Sequence, residues 1–169
     1  AGLELRTLAE AARVDRFQHR FQEALGKSLR AIELARRVND LRSEVAARYE
    51  ASIVLEVLGD PDGARHHATE MLALAERLRD RFWLNSALLT LMILSYLEGD
   101  WQTARDFGGR GLAVRAMDPR ILGLRTLLEY QVGDFAQGEA YLKRLLEVMR
   151  LTPPGPSVPY VVPAMVIPT

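Results

Sequence analysis

The sequence contains no cysteine, which excludes disulfide staples, thiolate metal sites and a cysteine nucleophile. It has no surplus of charge: 22 basic residues face 22 acidic ones. A nucleic-acid binder usually carries a basic excess, so direct nucleic-acid binding by this segment is not expected. Lysine is nearly missing, present only as Lys27 and Lys143, and the positive charge is carried by arginine. Long hydrophobic runs are missing too. The most apolar stretch, Ala87 to Leu97, is about half the ~20 residues that a membrane-spanning helix needs. It reads as a buried helix, and no membrane association is expected. The first residues alternate apolar and charged, unlike a secretory signal. These absences together point to the cytoplasm.

The chain has 169 residues, 49% of them hydrophobic and 26% charged, enough for a compact domain or a short repeat array. A repeat is visible. Gly59–Asp60, Gly99–Asp100 and Gly133–Asp134 stand 40 and 34 residues apart. Pro61, Trp101 or Phe135 follows each pair, and Ala64, Ala104 or Gly138 comes three residues later. Forty residues before Gly59 stands His19, with Phe21 in the aromatic place and Ala24 in the small one. Glycine can take the left-handed conformation that ends a helix. Aspartate caps the next helix by accepting a backbone N–H. The small residue lets antiparallel helices approach closely.

Between these signals apolar residues recur at three- and four-residue steps, as in Leu88, Leu91, Met92 and Leu94. The pattern predicts helices over about 3–18, 21–38, 41–58, 62–79, 82–98, 101–116, 119–132 and 135–150, paired in four hairpins. The repeat units are about 1–39, 40–80, 81–117 and 118–150, within an array covering 1–151. The fourth unit carries Arg125 and Glu129 where the third has Leu91 and Ser95, which predicts a one-residue shift of its first helix. Residues 152–169 hold a proline-rich break and an apolar segment, Tyr160–Ile167. That segment reads as the start of a truncated further repeat, and as a surface through which copies of the chain would associate.

Gly-Asp followed by an aromatic residue and then a small one resembles the tetratricopeptide repeat. Gly99–Asp100–Trp101 with Ala104 and Gly133–Asp134–Phe135 with Gly138 match best. The resemblance covers about residues 3–150. It implies an all-α fold, an α-solenoid of about four antiparallel helical hairpins in a right-handed superhelix. The long units also resemble the repeat arms of large bacterial signal-transduction ATPases and transcriptional regulators. The resemblance implies a protein- or peptide-interaction module, a piece of a larger regulatory or signalling protein. The alternative is a small-molecule-sensing repeat arm of such a regulator, which needs a closed polar pocket.

By register with that family, Tyr49, Ile53, Glu56, Leu89, Ile93, Tyr96 and Tyr130 should line a partner-binding groove, with apolar and tyrosine side chains as anchors. Arg13, Arg16 and Arg20, at three- and four-residue steps, form a candidate stripe for an anionic partner. No catalytic motif appears. Leu25–Gly26–Lys27–Ser28 lacks the earlier glycine of a phosphate-binding loop. His66 and His67 are adjacent, so on a helix they point about 100° apart and do not share a metal. Gly108, Gly109 and Gly111 read as packing residues. The chain is therefore expected to use no cofactor or metal and to be no enzyme.

Overall fold

A computed structural model describes residues 2–151. Among the described residues there are eight α-helices and no strand. They are α1 (Gly2–Phe17), α2 (Phe21–Arg37), α3 (Leu41–Val57), α4 (Pro61–Leu78), α5 (Arg81–Leu97), α6 (Trp101–Val114), α7 (Pro119–Gln131) and α8 (Phe135–Leu151). Residues 152–169, with the expected further repeat and association surface, lie outside the described residues.

The turns explain the repeat. His19, Asn39, Gly59, Arg79 and Gly99 all have positive φ, between 51° and 80°. They stand at 20-residue intervals, so the period is set helix by helix. Each is followed by the residue that starts the next helix. Asp40, Asp60, Asp100 and Asp134 accept the backbone N–H of Ser43, Gly63, Thr103 and Gln137 at 2.9–3.2 Å. Arg20, in the first unit, supplies no such bond. The last interval, from Gly99 to Gly133, is shorter because α6 and α7 each lose four residues relative to α4 and α5. The linker between them, 115–118, is two residues longer than the equivalent 79–80. The sequence pattern carries this helix on to residue 116, but Arg115 has already turned into extended backbone.

The described residues pack as two units, divided between Leu94 and Ser95. In the first, α1 packs on α2 and α3, α2 on α3, and α3 on α4. One apolar cluster joins Leu5, Ala31, Ile32, Ala35, Ala47 and Ala51. Another joins Val45, Met71, Leu74 and Ala87. In the second unit α7 packs on α6 and α8 around Leu122, Leu145 and Val148. The small residues sit where helices cross. Ala24, Ala64 and Ala104 are fully buried, and a Cβ added to Gly138 would lie 2.5 Å from the Tyr130 ring.

Arg125 and Glu129 are buried like Leu91 and Ser95, so the expected one-residue shift of α7 does not occur. The register holds because the charges meet each other. Arg125 Nε donates to Glu129 Oε1 at 3.1 Å, and Arg105 donates to both carboxylate oxygens. Arg125 also covers the Tyr141 ring at 4.6 Å. A buried ion pair persists when its remaining hydrogen-bonding capacity is met, as it is here.

Candidate functional site

The expected groove residues divide between the two units. Tyr49, Ile53 and Glu56 on α3, with Leu89 and Ile93 on α5, belong to the first; Tyr96 and Tyr130 belong to the second. In the first unit Leu89 is only 4% exposed, so its expected place on an open surface is corrected. Tyr49 is half-buried and packs edge-on against Trp83, ring centroids 5.9 Å apart. Ile53 and Ile93 are half-buried as well. Their area is shared with the core rather than offered freely.

Glu56 differs from its neighbours. It is half-buried in the last turn of α3, and no hydrogen bond or ion pair engages its carboxylate among the described residues. Burial alone holds its pKa above the usual 4.5. The negative end of the helix dipole lies beside it.

The three arginines of the expected anion-binding stripe meet carboxylates of the chain itself. Arg13 pairs with Glu10, Arg16 Nε donates to Glu50 Oε2 at 2.7 Å, and Arg20 donates to Asp15. Lys27 also reaches Asp15. The hydrogen bond from Lys27, then that from Arg20, holds the Asp15 carboxyl below its ordinary range. Each arginine thus has an internal carboxylate partner. Ser28 Oγ ties a helix turn by donating to the Ala24 carbonyl at 2.8 Å.

The sequence reading passed over Phe17 and Val57. Both are the last residues of their helices, exactly one 40-residue period apart, and they are 68% and 54% exposed. The Arg16 guanidinium lies 4.4 Å from the Phe17 ring centre. The period itself was the available signal.

In the second unit the tyrosines brace the hairpin ends. Tyr96 packs on Trp101 at 5.5 Å and its hydroxyl donates to Gln131 Oε1 at 3.1 Å. Tyr130 packs on Phe135 at 5.7 Å and lies over Gly138.

His67 belongs to a buried polar cluster of the first unit. Arg48, 1% exposed, bonds Glu44 at 2.9 Å and meets His67 Nδ1 at 3.2 Å. Burial, then the Arg48 charge, lowers the His67 pKa to about 4. On α1 and α2 a recess of about 200 Å³ is lined by Glu4, Arg30, Glu33, Leu34 and Arg37. It falls short of the ~300–1,000 Å³ typical of small-molecule sites. No described helix is long and apolar enough to cross a membrane.

No protein-family model matches the sequence, and no curated protein matches it. Solved structures do. BtubC (BKLC) from P. vanneervenii is similar at a TM-score of 0.78 and 19% identity, over 90% of this chain and 66% of that one. The apo form of RapI is similar at 0.80 and 10% identity, over 89% of this chain and 44% of that one. Pseudomonas aeruginosa pilF is similar at 0.67 and 19% identity, over 95% and 65%. The chain thus spans about two-thirds or less of the length of each. At these identities the likeness is one of architecture, and it is decisive on that point: this chain has the all-α, tetratricopeptide-type helical-repeat fold.

Proposed function

We propose that this chain is a protein- or peptide-interaction module of a larger regulatory or signalling protein, working in the cytoplasm. The observation that carries the reading is the face of α1 and α3. A folded scaffold holds Phe17 and Val57 in the open at matched positions of successive repeats. Apolar side chains fixed on a rigid surface bind without a large ordering penalty. The helical-repeat fold fits a scaffold role.

The test is capture from the source cell's lysate on the immobilised chain, beside the Phe17→Ala/Val57→Ala variant, followed by calorimetry with the purified captured protein. Saturable binding to the wild type, weakened about tenfold or more in the variant, supports the module. Absence of any saturable partner overturns it.

A further inference from the structure

One position of the repeat recurs through the chain as Arg16, Glu56, Tyr96 and Tyr130, at steps of 40, 40 and 34 residues. Three of the four are engaged: Arg16 with Glu50, Tyr96 with Gln131 and Trp101, Tyr130 with Phe135. Glu56 alone has no partner among the described residues. An unpaired, half-buried carboxylate at a helix C-terminus is unfavourable three times over: it is desolvated, lacks a cation, and faces the helix dipole. Departures from local consistency of this kind gather at functional sites. Beside it, Val57 and the matched Phe17 stand exposed on packed neighbouring helices.

We infer that the α1–α3 face of the first unit binds a partner segment carrying a lysine or arginine among apolar residues, with Glu56 as its counter-charge and Phe17 and Val57 as its apolar contacts. This deepens the interaction reading above and rests on it. The cation supplies what Glu56 lacks, and the flanking apolar groups cover the two exposed side chains while excluding water from the ion pair.

The test is a random-peptide phage selection on the full chain, with synthetic peptides made from the enriched sequences. Enriched peptides should carry a basic residue flanked by apolar ones. Their Kd should rise about tenfold or more on Glu56→Gln. Replacing the peptide's basic residue by glutamine should lose a similar factor on the wild type and little further on Glu56→Gln, the signature of a direct pair. Glu56→Gln should melt no lower than the wild type, which separates lost binding from lost fold. Phe17→Ala, with Glu56 intact, should weaken binding while preserving the preference for a basic residue. Enriched peptides without a basic residue, or equal binding to Glu56→Gln, overturn the inference and leave the interaction module standing. A selection that enriches nothing overturns both.

Discussion

At the scale of single residues, the structure turns on which side chains tolerate no change. Gly138 is one. A methyl group there would meet the Tyr130 ring at 2.5 Å, so α7 and α8 would have to part. Gly138→Ala should destabilise the fold by about 1–3 kcal/mol. Adding Tyr130→Ala should recover part of that loss, because the two residues share one contact. Chemical denaturation of the single and double variants checks both. The sequence marked Gly138 as a close-packing site, since it stands in the place of Ala64 and Ala104. It did not mark Tyr130 as the ring above it, because register arithmetic says which face a residue shares and not how deeply its neighbours cover it. Leu89 was misplaced for the same reason. Arg48 was invisible: a fully buried arginine looks like a surface one until Glu44 and His67 are seen around it.

At the scale of helices, the turns carry the specification. Three of the left-handed positions hold His19, Asn39 and Arg79 instead of glycine. A side chain in that conformation costs about 1–2 kcal/mol, and part of that is returned by the greater freedom of an unfolded glycine. Arg79→Gly should therefore stabilise the chain by roughly 0.5–1 kcal/mol, read as a higher melting temperature. Gly59→Ala, at φ 80°, should do the reverse. The helices themselves were legible, because Gly-Asp pairs and apolar steps are local signals. The early end of α6 was not: a longer linker is set by packing against the next hairpin, and Arg144 reaches the Ala116 carbonyl at 2.6 Å to hold it.

At the scale of the whole molecule, its ionisable groups answer acid in opposite directions. The His67 pKa is lowered from 6.5 to about 4. Its contribution to stability is complete above pH 6.5 and is lost as the pH falls towards 4. For one proton the slope is at most about 1.4 kcal/mol per pH unit, and less for a ring that keeps some solvent. Asp15 lies below its usual pKa of 3.8 and so defends the fold until more acid conditions. Burial works against Asp118, but the hydrogen bond and charge of Arg120 outweigh it, with the same result. Glu56, whose pKa is raised, gains stability as it takes up a proton. The melting temperature should fall between pH 6.5 and 4, and His67→Gln should flatten that fall. An unchanged slope in the variant would assign the loss to other groups. The evenly spaced left-handed turns reach furthest. Asn39–Asp40 and Arg79–Asp80 are equivalent joints one period apart, each a left-handed residue followed by a helix-starting aspartate. A second copy of residues 40–79 inserted after Arg79 would recreate the same joint, Arg79 before Asp40, with no new turn to invent. The chain carries its own splice points, and a longer array is reached by copying a segment rather than by designing one.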